Sequence, residues 1–368
     1  MKILMVTPHL PPYQAANALL PHVLGTELEK RGHPVSFLTF RSGDAARART
    51  AYVRRRTAFR MTRIPQLLEA IETRKKALPL IEEADLVHVH SNTWMNQIAA
   101  RAASSRGKPY ILTHYGTEIW HHDGRNRAFK ALNRKARHVT FYSAALLARA
   151  RELNVPLPEA SVVYPAVDIL FSPLSPQERE AVRAPLVSSG ESLLFNVKRL
   201  HPLADHETLL RAFALLDPAR VRARLVIAGS GEEKDRLAAL ALELGLGGRV
   251  RFLGLVPNQE VAKIHAAADL FVLSSRLEAT PTVVLEALAC GTRVVSTDNP
   301  GGLELGEMFP EDLRLVPREN PPALAEGIAA SLRENRRISE KTARLIDERF
   351  SLRGLVDRYC EIYEEARR

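Results

Sequence analysis

The chain has 368 residues, 46% of them hydrophobic and 26% charged, and carries a formal net charge of +10. That length favours two domains each able to bury a full core, and that balance excludes a disordered chain. Two cysteines, Cys290 and Cys360, make neither a disulfide framework nor a metal motif, and no apolar run approaches membrane-spanning length, so the expectation is a cytoplasmic protein.

The apolar start "ILMV" is too short for a signal segment and stops at Thr7-Pro8, which reads as a first strand. Strand-length runs then recur as "PVSFLTF", "DLVHVH", "PYILTH", "HVTFY" and "SVVYP", each separated by room for a helix. Residues 41–76 interrupt this rhythm with arginines and lysines that far outnumber Asp44, Glu69 and Glu72. Such a stretch suits an anionic lipid surface, an acidic acceptor, RNA or a plain solvated face. Without a nucleic-acid motif, and with few aromatics among the basic residues, no nucleic-acid partner is expected. His88 and His90 alternate on a strand, and His121 and His122 follow in a later segment, but no further ligand spacing makes a metal site of them.

"VDILFSPLSPQEREAVRAPLVSSGE" (167–191) is rich in Pro and Ser with weak apolar periodicity, as a hinge or linker is. The rhythm resumes with "LLFNV", "RLVIAG", "RVRFL", "DLFVLS", "RVVST" and "LRLV". Two doubly wound α/β domains follow, residues 1–170 and 171–350, and the amphipathic "SLRGLVDRYCEIYEEARR" (351–368), opened by Ser351, makes a last helix expected to pack back toward the first domain.

The densest chemistry lies in "RLEATPTVVLEALACGTRVV" (276–295). Thr280 suits an N-cap, Pro281 the first helical position and Gly291 the position past the end, so 281–290 reads as one short helix between two strands. The amides of Thr282, Val283 and Val284 then point outward unpaired on the positive end of the helix dipole, where a phosphate binds. Glu278 and Glu286 flank that point. A bare carboxylate repels phosphate, so each makes sense as an acceptor for hydroxyls beside it. Two sets of hydroxyls on either side of a pyrophosphate describe a sugar nucleotide.

"FVLSSRLEATPTVVLEALACGTRVV", with "NVKRL", "GSGEEKDRL", "VRFLGLVPNQEVAKIHAAADLF", "DLVHVH" and "RGHPVSFLT", resembles the retaining family 4 glycosyltransferases of the GT-B fold, group 1 glycosyl transferases whose signature is two glutamates eight apart. The resemblance spans nearly the whole chain. It implies two Rossmann-like domains facing a central cleft, the first binding the acceptor and the second a UDP- or GDP-sugar.

Residue by residue, the resemblance implies that Glu286 binds the ribose hydroxyls and Glu278 reaches the donor sugar. Backbone at Thr282 and Val283 holds the diphosphate, and Arg199 neutralises it as it leaves, so no divalent metal or cofactor is required. Leu255 and Val256 lie along the base, while His114 stands on the acceptor side with Glu118 nearby. The chain departs from the pattern at Ala204, where the family has a phosphate-gripping lysine, at Asn17-Ala18, where it has Gly-Gly, and at Ala279. Lys198 offers a substitute cation, although neighbours on a strand point to opposite sides.

The expected activity is transfer of a sugar, with retention, to a lipid-linked or anionic acceptor in glycan, glycolipid or cell-envelope synthesis, at the inner face of a membrane contacted through residues 41–76. One rival is a nucleotide-sugar-binding protein without catalysis, motivated by Ala204 and Asn17-Ala18. Another is a glycoside hydrolase with Glu278 and Glu286 as acid and base, which needs no phosphate-binding helix end between its carboxylates.

Overall fold

The structure, a computed structural model, describes residues 1–13, 16–40, 49–55, 64–122 and 124–368. The chain divides into two units, residues 1–164 with 355–368, and residues 165–354.

In the first unit β1 (Ile3–Val6) leads into α1 (Ala16–Lys30), β2 (Val35–Phe40), β3 (Thr50–Val53), α2 (Ile64–Glu83), β4 (Leu86–His90), α3 (Trp94–Ser105), β5 (Tyr110–His114), α4 (Thr117–Trp120), α5 (Arg127–Lys135), β6 (His138–Phe141), α6 (Ala144–Glu152) and β7 (Ala160–Val162). The strands are parallel in the order β3-β2-β1-β4-β5-β6-β7. β1, β4 and β5 are buried at every residue, because helices cover both faces of a parallel sheet, which is why they read as unbroken apolar runs. Two details differ from the sequence reading. β3 had no run of its own, since "TAYV" sits among arginines and pairs only with β2 at the sheet edge. β7 ends at Val162, earlier than the run "SVVYP". Within the basic stretch 41–76, residues 41–48 and 56–63 lie outside the described residues.

The second unit continues with α7 (Pro176–Arg183), β8 (Ser192–Val197), a 3-10 turn at Pro202–Ala204, α8 (His206–Ala214), β9 (Ala223–Ala228), α9 (Lys234–Glu243), β10 (Val250–Gly254), α10 (Asn258–Ala267), β11 (Leu270–Leu273), α11 (Thr282–Ala289), β12 (Val294–Thr297), α12 (Pro300–Met308), β13 (Leu313–Val316), α13 (Pro321–Glu334) and α14 (Glu340–Phe350). Its six strands are parallel in the order β10-β9-β8-β11-β12-β13. Leu194, Leu225, Ile227, Leu270 and Val272 on one face pack with Leu209, Phe213, Leu324 and Ile328 from α8 and α13.

The Pro- and Ser-rich segment is more ordered than a linker. Ser175 and Glu178 form a reciprocal capping box at the start of α7, and Arg179 and Arg183 reach Asp269 at 2.5 and 2.8 Å. The last helix, α15 (Leu352–Arg367), returns to the first unit. Leu355, Val356, Tyr359, Ile362 and Tyr363 recur at helical spacing and are buried. Tyr363 bonds His88 Nδ1 at 2.8 Å, and Tyr359 lies 3.3 Å from the Thr113 hydroxyl. No helix among the described residues is long and apolar enough to cross a membrane.

Candidate active site

In both sheets the winding reverses beside the first strand, between β1 and β4 and between β8 and β11, and the carboxyl ends of strands at such a reversal are where open α/β sheets bind ligands. In the second unit the chain leaving β8 carries Lys198, and the loop leaving β11 carries Glu278. Their side chains form an ion pair at 2.7 Å, with Lys198 27% and Glu278 14% exposed.

Close packing of glycine backbone sets this pair. Gly229, at φ +135°, lies so near the Lys198 carbonyl that a Cβ there would stand 2.0 Å from it. The Gly301 amide donates to the Glu278 carbonyl at 3.0 Å, and a Cβ on Gly301 would stand 2.8 Å from the Ala279 carbonyl. Asn299 caps α12 through the Gly302 amide at 2.9 Å, so the helix bearing Gly301 is itself anchored. Arg276, just upstream of Glu278, pairs with Asp205 at 3.3 Å and donates its amide to the Leu203 carbonyl at 2.9 Å, tying the Glu278 loop to the turn that carries Ala204. Sequence reading missed Arg276 and Asp205. Arg276 opens the 276–295 segment and Asp205 follows Ala204, but nothing in the sequence marks the two as partners.

α11 starts one residue later than expected. Pro281, with ψ near 91°, is still extended and occupies the cap position, so Thr280 falls outside the helix and no side chain caps it. The Val284 amide donates to the Pro281 carbonyl at 2.9 Å and is not open to a ligand. The amides of Thr282 and Val283 remain as the donors of this helix end. Glu286 follows one turn in. Burial raises its carboxyl to about 7; Lys198 and a hydrogen bond from Thr282 pull the other way, and Asp168 adds to the rise.

Arg199 turns away from its neighbour, as strand-like alternation requires. It is 72% exposed and pairs with Glu232 at 3.3 Å. The cation facing Glu278 is therefore Lys198. Ala204 is buried and its carbonyl accepts from the Ser274 hydroxyl at 2.9 Å. Leu255 is exposed and Val256 half-buried just beyond β10.

In the first unit His114 ends β5 with no exposed surface, its ring among Phe129 and Phe141. Its Nε2 bonds Asn133 at 2.9 Å, and its Nδ1 is 3.6 Å from Glu118. Glu118 also accepts from the amides of Tyr115 and Gly116 at 2.7 and 3.2 Å. Burial alone raises the Glu118 carboxyl, but His114 and the backbone amides of Tyr115 and of Glu118 itself outweigh it and hold it below the usual carboxylate range. The structure thus buries a histidine that the resemblance puts at a cleft surface. Asn17 is half-buried and Ala18 fully buried where α1 opens, and the Thr7 hydroxyl bonds the Asn17 carbonyl. His88 and His90 are buried and engaged with Tyr363, Thr113 and Tyr115 hydroxyls.

Residues 178–349 match the family model of the glycosyl transferases group 1, and residues 22–170 that of Glycosyltransferase Family 4. A D-inositol 3-phosphate glycosyltransferase of Saccharomonospora viridis is 37% identical over 55% of this chain and 49% of its own length, so the chain matches about half of that relative. Sucrose-phosphate synthase of Thermosynechococcus elongatus has a similar fold, with TM-score 0.79, 19% identity and coverage of 99% of this chain and 98% of that one. HepE of Anabaena, solved in complex with UDP, superposes with TM-score 0.78 and 21% identity over 99% of this chain and 100% of that one. With its two halves matched one after the other and this fold shared along nearly its whole length, the chain belongs to the group 1 glycosyl transferases of glycosyltransferase family 4, with the GT-B fold.

Proposed function

We propose that the chain transfers a sugar from a nucleotide diphosphate sugar to an acceptor hydroxyl, with retention at the anomeric carbon. The observation that carries this is the 2.7 Å pair of Lys198 and Glu278 beside the open amides of Thr282 and Val283, with Glu286 one turn into α11. Those two amides and the Lys198 ammonium hold the diphosphate, and Glu286 accepts from the ribose hydroxyls. Leu255 and Val256 lie along the base. Glu278 accepts from hydroxyls of the donor sugar, and its ion pair with Lys198 sets the sugar's position relative to the diphosphate.

In the reaction the bond from the anomeric carbon to the diphosphate oxygen breaks with its electron pair leaving on the diphosphate, and the acceptor oxygen bonds to the same face. The acceptor proton passes to the departing phosphate oxygen. A fixed ammonium and a helix dipole stabilise the leaving charge, so the chemistry is assigned to these groups without a divalent metal. Lys198 takes the part of the lysine absent at Ala204, and Arg199 reinforces the field from outside. Glu118 and His114 shape the first unit, which takes the acceptor, lipid-linked or anionic, at the inner face of a membrane.

HepE bound to UDP favours a uridine nucleotide as the donor. The test is thermal unfolding with UDP, GDP, ADP and their sugar conjugates, each with and without EDTA. A UDP or UDP-sugar shift that survives EDTA is expected. No shift with any nucleotide sinks the reading, and a shift abolished by EDTA overturns its metal-free part.

A further inference from the structure

The second sheet has a basic hollow at the edge opposite Lys198 and Glu278. Its volume is about 560 Å³, and it is lined by Arg179 and Arg183 of α7, Ser192 at the start of β8, Asp269 just before β11, and Arg336 and Arg337 beyond α13. Lys198 and Glu278 come after β8 and β11, whereas Ser192 and Asp269 come at their beginnings. The six residues of β8 span roughly 20 Å, so the two places lie at opposite ends of the sheet.

The charges in this hollow do not balance. Arg336 is met by buried Asp312 at 2.5 Å, and Glu191 on the rim faces Arg224 at 3.5 Å and the Ser188 amide at 2.7 Å. Arg179, Arg183 and Arg337 are left with Asp269. Both oxygens of that carboxylate are taken: Oδ1 accepts from Arg179 at 2.5 Å, and Oδ2 from Arg183 at 2.8 Å and from the Leu193 amide at 2.7 Å. Arg337 makes no ion pair among the described residues. Its terminal nitrogens donate to the carbonyls of Ala268, Ala266 and Cys290 at 2.7, 3.0 and 2.7 Å, at the ends of α10 and α11, and these carry only partial charge.

Burial lowers Arg337 to about 10; Arg179 and Arg183 push the same way as like charges, and Asp269 opposes them. At neutral pH it stays charged beside two other guanidinium groups. Arg179 Nε is buried and has no hydrogen-bond partner among the described residues, so the fold leaves a donor that an acceptor in the hollow would satisfy. A surplus of guanidinium groups is the chemistry that recognises phosphate, because each fork presents parallel N–H groups to two oxygens. The hollow is larger than one phosphate and lies within the range of about 300–1,000 Å³ for small-molecule pockets. Its neutral polar lining, Ser192 and Asn335, suits hydroxyls on the remainder of a ligand.

We infer that this hollow binds a phosphate monoester of a small hydroxylated molecule, its phosphoryl group bridging Arg179 and Arg337 and its hydroxyls meeting Ser192 and Asn335. The bound anion ties α7, which buries no side chain of its own, to the turn after α13. The site is separate from the donor site and stands whether or not the donor reading does.

Two measurements on the full chain test it. In the first, thermal unfolding is followed with glucose 6-phosphate, inorganic phosphate or glucose, at constant ionic strength and with UDP present throughout to occupy a nucleotide site. A saturable rise is expected with glucose 6-phosphate, a weaker response with inorganic phosphate and none with glucose. Arg179→Gln should raise the half-saturating concentration about tenfold, and Arg179→Lys, which keeps the charge and loses the fork, about threefold. Asp269 keeps Arg183 and the Leu193 amide in both variants, and unfolding without ligand shows that each folds. Arg344→Gln, on exposed α14, removes the same charge elsewhere and should change nothing. No saturable rise, a rise unaltered in both Arg179 variants, or one weakened equally by Arg344→Gln overturns the inference. A response to inorganic phosphate stronger than to glucose 6-phosphate overturns the monoester.

In the second, amide hydrogen exchange locates the anion. Glucose 6-phosphate should slow exchange about tenfold in residues 177–187 and 331–339. Slowing confined to 281–290 overturns the inference, since it puts the phosphate at α11, and so does exchange unchanged throughout.

Discussion

Each unit holds a carboxylate beside a basic side chain at the carboxyl edge of its sheet, and the two pairs have opposite fates. His114 and Glu118 are closed in: Asn133 takes one side of the imidazole, and two backbone amides take the carboxylate. Lys198 and Glu278 are partly open and stand near a helix end that no side chain caps among the described residues. The first pair is sealed from solvent, with His114 Nδ1 left 3.6 Å from Glu118 and without a hydrogen-bond partner among the described residues, whereas the second keeps an open side, which binding a ligand requires. On that ground we assign the first pair to the structure and propose the second as the donor site.

The contrast is most exposed to a change at Lys198. Lys198→Met leaves the Glu278 charge without a partner and removes the cation beside the diphosphate, and calorimetric titration with UDP-glucose should show affinity falling on the order of 100-fold, about 2.7 kcal/mol. A change below threefold breaks the distinction between the two pairs. Glu278→Gln should retain most of the binding and slow donor turnover in single-turnover assays by roughly 10²-fold, since it changes the group nearest the transferred sugar. Normal turnover would exclude it from the chemistry.

His114→Ala tests the other side of the comparison. Loss of a buried ring and its bond to Asn133 should cost about 1–3 kcal/mol in urea unfolding, with UDP-glucose affinity unaltered. Full stability together with lost transfer would reverse the assignment.

Glu286 gives a pH signature. Its carboxyl titrates at about 7 in the folded chain against an ordinary value of 4.5, so the native state holds that proton more tightly than the unfolded state. The stability it contributes is complete below the unfolded value and is lost as pH rises through about 7. Glu286→Gln should therefore gain on the wild type by roughly 1–3 kcal/mol between pH 5 and pH 8. Binding runs the opposite way. UDP-glucose should bind the wild type more tightly as pH rises through 7, because the ribose hydroxyls need an ionised acceptor, and the variant should show a flat profile. The smallest effect is expected at Arg199→Ala, within about threefold in the same titration, because its exposed pair with Glu232 is screened.

Much of this organisation was legible in the residues. Apolar runs of strand length placed all but one of the strands, and the Thr-Pro step with the glycine past its end located α11 to within a residue. β3 was hidden because an edge strand needs only one buried face, and Arg276 and Asp205 were hidden because their contact joins residues 71 apart. Segment 167–191 read as a linker because α7 has no buried side chain of its own to print an apolar period; its place comes from a capping box and ion pairs.

By itself, then, the sequence determined the two parallel α/β sheets and the family, since both rest on local patterns: runs of side chains, helix-end residues and their spacing. Strand alternation also separated Lys198 from Arg199. Only the tertiary structure decided which of the two meets Glu278 and that His114 lies sealed beside Asn133. Those outcomes depend on where each strand stops and on what distant backbone, at Gly229 and Gly301, packs against it. No period along the chain records such contacts, because they exist only once the sheet has brought its strand ends together.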